Sequence, residues 1–270
     1  MRRVAPPLTG RQLAGRHRHA NGKPQGILPF AMRAGAPPST DIASRLQLLQ
    51  ARLEACRACP RVVGTPVHGA PVPSRVLLIG QAPGPREASF GRPFAWTAGR
   101  TLFRWFQETT GADEARVRER VYISAVARCF PGKAKGGGDR RPDPEEVETC
   151  RQWLSTEVAL LKPRLIVPVG TLAIESVLGH KGKLLEVVGK RHRLEVFGQL
   201  ADVIPLPHPS GASTWHRMEP GKTLLQKALR LLARHPDVQA ALGPRRRPVR
   251  AGKKKAYPRR RPSSHLRQKE

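Results

Sequence analysis

The sequence predicts an α/β fold: three layers, α/β/α, around a mainly parallel central sheet. Two observations carry this. Short apolar, branched runs of strand length start at Arg75, Val121, Leu165 and Val203, with helical stretches between them. Such alternation builds a parallel sheet covered on both faces. The first and last of these runs also end abruptly, in Gly80-Gln81-Ala82-Pro83-Gly84-Pro85 and in His208-Pro209-Ser210-Gly211. Glycine lets a backbone approach a ligand closely, and proline stiffens the turn. Loops at the carboxyl ends of parallel strands are where open α/β sheets place their sites.

Each element has its own signal. Ser39, Thr40 and Asp41 offer helix N-caps, and Ile42, Leu46, Leu49, Leu53 and Cys56 then recur on one helical face. The first strand covers 75–80. A helix over 98–109 turns Leu102, Phe103 and Phe106 inward, and 121–126 alternates as a second strand. The stretch 130–141 is a glycine- and charge-rich loop. Asp143, Pro144, Glu145 and Glu146 open a helix that runs to about Leu161: a cap, a first-turn proline, and acids at the positive dipole end. A third strand (165–170) leads into a helix over 171–178. A short hairpin arm is expected over 190–197, the fourth strand over 203–207, and a closing helix over 221–234.

Composition sets the boundaries. The 270 residues carry a net charge of +29. Residues 1–38 and 244–270 read as disordered basic segments flanking a folded domain over 39–243. The last segment alone holds 12 Lys/Arg and one acid, yet the body over 41–243 keeps 30 basic against 19 acidic residues. A polyanionic partner, nucleic acid, is therefore expected for the body as well as the tails. No apolar run is long enough to span a membrane, and no secretory signal is expected. Cytoplasmic residence, with association through DNA, is the expectation; the acid-free, Arg-bearing N-terminus keeps an organellar transit peptide open as the alternative.

Four cysteines are spaced as Cys56-x2-Cys59, then Cys129, then Cys150. A CxxC pair at a helix end, joined by one thiol after the second strand and one in the following helix, suits either a [4Fe–4S] cluster or a structural zinc. Phe94, in Gly91-Arg92-Pro93-Phe94, lies within reach of the first loop and offers a ring to stack on an extruded base. His208 offers a hydrogen-bond donor for a leaving group that becomes negative. Gly211, Ala212, Ser213 and Thr214 are small enough to approach a groove, with Trp215 able to fill a vacated base stack.

The pairing of strand-GQAPG with strand-HPSG resembles motifs A and B of the uracil-DNA glycosylase superfamily. The GRPF element, the four cysteines and the 121–129 run are similar to its iron–sulfur branches, families 4 and 5. The resemblance spans about Arg52 to His235. It implies a monomeric DNA-repair glycosylase that flips out uracil or a related deaminated base and cleaves its N-glycosidic bond. It further implies a [4Fe–4S] cluster on Cys56, Cys59, Cys129 and Cys150. Phe94 then stacks on the base, His208 is catalytic, and Gln81, Ala82, Pro83, Gly84 and Ser210 bind the substrate. The 211–215 loop enters the DNA. This chain departs from the family pattern at three places. Gln81 stands where family 4 carries an acid, and Ala82 where family 1 carries its aspartate. Ser124, Ala125 and Val126 replace the strand that holds a base-reading asparagine. Glu87, just beyond the loop, is the candidate substitute for the missing carboxylate. The other reading is a non-catalytic nucleic-acid-binding protein on the same scaffold.

Overall fold

The computed structural model describes residues 41–211 and 213–244. Helix α1 (Ile42–Glu54) presents Leu46, Leu49 and Leu53 inward. Strand β1 (Val76–Gly80) is buried at every position, as expected of a strand covered on both sides. A short helix α2 (Glu87–Phe90) precedes α3 (Thr97–Thr110) and α4 (Glu114–Arg120). Then come β2 (Tyr122–Ala125), α5 (Pro144–Leu161), β3 (Leu165–Pro168) and α6 (Thr171–Leu178). The chain continues through β4 (His192–Val196), β5 (Gln199–Val203), α7 (Gly221–Arg234) and α8 (Pro236–Leu242).

The sheet order is β2-β1-β3-β5-β4. All neighbours are parallel except β4 and β5, which form an antiparallel hairpin at one edge. Alternation along β1 divides the core. Val76 and Leu78 pack with α3, α4, α7 and α8, and Leu77 and Ile79 with α1, α5 and α6. The three layers expected from the sequence are present.

One boundary shifts. The fourth parallel strand ends at Val203, where the sequence placed its start. The chain beyond still runs beside β3, with Ile204 and Leu206 donating to Ile166 and Pro168 carbonyls at 3.1 and 2.9 Å. Gly170 N–H donates back to the Leu206 carbonyl at 2.9 Å, but Pro168, between Ile166 and Gly170, has no N–H to give, so the ladder is interrupted there. The helices α2, α4 and α8 carried no apolar periodicity long enough to predict. The signals of α4 and α8 were local: Asp113 accepts the Arg116 N–H as a cap, and Pro236 sits in the first turn of α8. Of the segments expected to be disordered, 1–38 and 245–270 lie outside the described residues.

Candidate active site and cysteine cavity

The loops that follow β1, β3 and β5 meet at one end of the sheet. They line a cleft of about 670 Å³ that includes Gln81, Gly84, Phe94, Thr171, His208 and Ser210. The cleft opens beside the carboxyl end of β1, where the strand order reverses direction, the usual ligand position in open α/β sheets. The first loop is tied down by its neighbours: Val126 N–H donates to the Gly80 carbonyl and Ala127 N–H to that of Gln81, both at 3.0 Å.

Phe94 is buried and has a positive φ of 54°. Non-glycine residues rarely hold that conformation without reinforcement. Here Arg118 supplies it, donating to the Pro93 and Phe94 carbonyls at 3.0 and 2.9 Å while ion-paired to Glu114. Two glycines leave the ring and backbone their space. A Cβ on Gly80 would lie 2.8 Å from the Phe94 ring, and one on Gly99 only 1.7 Å from the Phe94 carbonyl oxygen.

The Ser210 N–H donates to His208 Nδ1 at 3.2 Å. A neutral imidazole with Nδ1 accepting carries its proton on Nε2. Burial, and secondarily the neighbouring His216, hold the His208 pKa below the ordinary histidine value. The ring is therefore neutral at neutral pH and presents an Nε2–H donor. Its other neighbour is Gly170, at φ 90°, where a Cβ would come within 2.9 Å of the imidazole.

Glu87 is buried with both carboxylate oxygens occupied. Oε2 accepts the Gly84 N–H at 2.8 Å and Oε1 the Ala95 N–H at 3.0 Å. Burial raises its pKa, and these N–H groups oppose the rise. The geometry is that of a brace between the first loop and the Phe94 segment, whereas the sequence offered Glu87 as the candidate substitute for the missing carboxylate. Ser124 is likewise committed elsewhere, donating to Glu157 Oε2 at 2.7 Å in a buried network with Arg128. Ser213 also lines the cleft, while Gly211 and Thr214 are exposed. Trp215 packs against the core, and a Cβ on Gly221 would meet its ring at 2.8 Å, so the ring is seated inward instead of standing free as a wedge. Ala212 lies outside the described residues.

Three features escaped the sequence reading. Trp96 lies at the cleft, is 41% exposed, stacks on Phe90 at 5.9 Å, and has the Arg86 guanidinium 4.4 Å from its ring centroid. Arg118 and Gly170 hold Phe94 and His208 from outside the motifs. The glycine-rich stretch, expected as an open loop, folds back as a small arm: Lys133 and Asp139 pair as an antiparallel bridge, and the Arg140 N–H donates to the Gly132 carbonyl at 2.8 Å. Single aromatic or charged residues in loops carry no periodicity, so nothing local distinguished them.

Cys56, Cys59, Cys129 and Cys150 all line a separate cavity of about 110 Å³ that shares no lining residue with the cleft. Burial first, and then the neighbouring thiols, push Cys129 up to about 12. Cys59 and Cys150 are raised for the same leading reason. Thiols so placed give up their protons when a cation compensates the thiolates. Among the described residues, no three His, Cys, Asp or Glu converge to hold a single metal ion. The four cysteines instead share the lining of one cavity. Two further residues on its wall, Arg128 and Trp153, carry buried N–H groups, Nε and Nε1, without an acceptor among the described residues.

The Uracil DNA glycosylase superfamily sequence model matches residues 66–233 of the chain. A type-4 uracil-DNA glycosylase of Pyrobaculum aerophilum is 30% identical over 174 residues, covering 61% of this chain and 83% of that protein. One from Sulfurisphaera tokodaii is 26% identical over 175 residues, covering 62% and 75%. A type-5 uracil-DNA glycosylase of P. aerophilum is 30% identical over 156 residues, covering 47% and 66%.

Proposed function

The chain belongs to the uracil-DNA glycosylase superfamily, and we propose that it excises uracil or a related deaminated base from DNA, leaving an abasic site. The observation that carries this reading is the joint placement of Phe94 and the His208 Nε2–H in one cleft with the first motif loop. Phe94 stacks on the extruded base, and the 81–84 backbone closes the pocket around it. As the N-glycosidic bond breaks, the base becomes anionic, and His208 Nε2–H donates to its oxygen. Such a donor acts more strongly in the transition state than in the ground state. Glu87 positions the pocket by bracing Gly84 against Ala95. Exposed Trp96, with Arg86 and Arg100 4.4 and 5.9 Å from its ring, takes the strand beside the extruded nucleotide.

The four cysteines hold a [4Fe–4S] cluster in this reading. Support comes from the four cysteines lining one cavity of about 110 Å³ and from Arg128 Nε and Trp153 Nε1, on residues of its wall, which have no hydrogen-bond partner among the described residues. The cluster, when bound, supplies a structural cross-link between the end of α1, the segment after β2, and α5. The protein acts as a monomer on DNA.

Single- and double-stranded oligonucleotides containing uracil, hypoxanthine or xanthine test the activity directly. Cleavage of at least one is expected, with His208→Ala slower by about 100- to 1,000-fold and DNA affinity largely kept, since phosphate contacts dominate it. A parent protein that binds DNA and cleaves none of them would make the chain a binding protein on this scaffold. Iron and sulfide analysis of brown protein checks the cluster; one zinc in colourless protein overturns it.

A further inference from the structure

The first loop offers no carboxylate at either familiar place, with Gln81 and Ala82 there instead. Among the described residues, two carboxylates line the cleft, Glu87 and Asp139. Glu87 has both oxygens occupied by backbone N–H groups. Asp139 does not. Its Oδ1 accepts from Lys133 Nζ at 2.6 Å, while Oδ2 has no hydrogen-bond partner among the described residues and lies 3.8 Å from where a Cβ on Gly84 would stand.

The arm that carries Asp139 is built to hold it there. Beyond the Lys133–Asp139 bridge, the Ala134 N–H donates to the Gly138 carbonyl at 3.2 Å. Gly132, Gly137 and Gly138 take positive φ values of 96°, 82° and 73°, which bend the arm back. At its base Arg140 pairs with Asp143 and Glu146 at 2.6 and 2.7 Å and donates to the Pro131 carbonyl at 2.8 Å. A clamp of that kind fixes a loop whose glycines would otherwise leave it free. The charge partners of Asp139 are equally telling: Lys133 is beside it, and the cleft wall also carries Arg86 and Arg140.

We infer that Asp139 is the general base of the glycosylase, supplied from the glycine-rich arm in place of the motif carboxylate; the inference rests on the glycosylase reading above. The C1′–N bond breaks and its electron pair leaves with the base, whose oxygen takes the hydrogen bond from His208. Water adds through oxygen to C1′, and its proton passes to Asp139 Oδ2. The products are the free base, once it is reprotonated from solvent, and an abasic sugar.

The test is single-turnover cleavage of a uracil oligonucleotide by the full chain, with binding of the same strand measured separately. Asp139→Asn is expected to cleave about 100-fold or more slowly while binding DNA as tightly as the parent or more tightly, because a negative charge has left a positive cleft. Asp139→Glu is expected to recover part of the rate. Added formate is expected to accelerate Asp139→Ala, since a small carboxylate can occupy the space left and accept the proton. A merely structural role for the Lys133–Asp139 pair would not respond to formate. Equal cleavage by parent and Asp139→Asn, or a loss that formate leaves untouched, overturns the inference. A parent that cleaves no modified base overturns the underlying reading instead, and the two failures are told apart by the parent alone.

Discussion

At the residue scale the site is made by constraint more than by reactive groups. Phe94 sits at a backbone angle that costs energy, and Gly99 permits it by having no side chain where the Phe94 carbonyl passes. Gly99→Ala is therefore expected to destabilise the fold by about 1–3 kcal/mol, as overpacking does, and to slow cleavage by displacing Phe94. Denaturant unfolding alongside single-turnover rates checks both effects, and an unchanged midpoint would contradict the close contact. His208 carries a pH signature. Burial and His216 lower its pKa, so the folded protein resists a proton that the unfolded chain accepts near the ordinary value of 6.5. Stability is then expected to fall as pH drops through 6.5 toward that lowered value. His208→Asn removes this contribution. His216 is lowered in the same direction, by burial first, so part of the slope remains. Thermal unfolding of both proteins between pH 5 and 8 gives the comparison, and identical slopes would refute it.

At the element scale, α2 and α3 matter for what their junction exposes. Phe90 ends α2, and Trp96, 41% exposed, stands at the N-cap of α3. Arg86 and Arg100 bring positive charge to the same ring. Stacking of a base on such a ring is worth about 1–3 kcal/mol. Trp96→Ala is expected to weaken single-strand binding by about that amount and to leave the saturated cleavage rate nearly unchanged, because among the described residues its ring meets Phe90, Arg86 and Arg100 and stacks on neither Phe94 nor His208. Fluorescence anisotropy with a short labelled strand measures this. Undiminished affinity would return the Trp96 shelf to an ordinary surface feature.

For the whole molecule, charge sets how DNA is met. The body carries an excess of basic residues, and 244–270 adds 12 more. Lysines and arginines of such a tail release counterions from any phosphate chain, without regard to sequence. Deleting 245–270 is expected to weaken binding similarly for every DNA and to flatten the dependence of log affinity on log salt. Titrations at several salt concentrations decide this, and unchanged affinity at low salt would count against it.

Much of this protein was legible without coordinates. Period and composition determined the layers, because a strand buried on both faces must be apolar throughout, as 76–80 is, and a helix on that sheet must repeat its apolar positions. The two motif loops were legible because glycine and proline leave a mark at the strand ends where such sites lie. Tertiary structure alone decided which groups are available to act. Glu87 is near the first loop in sequence, yet its oxygens are occupied by Gly84 and Ala95. Asp139 is more than fifty residues from that loop and reaches it only because an arm without periodicity folds back. The proton on His208 is placed by the Ser210 N–H. A hydrogen bond depends on distance and direction between groups, and spacing along the chain sets neither once a loop can bend.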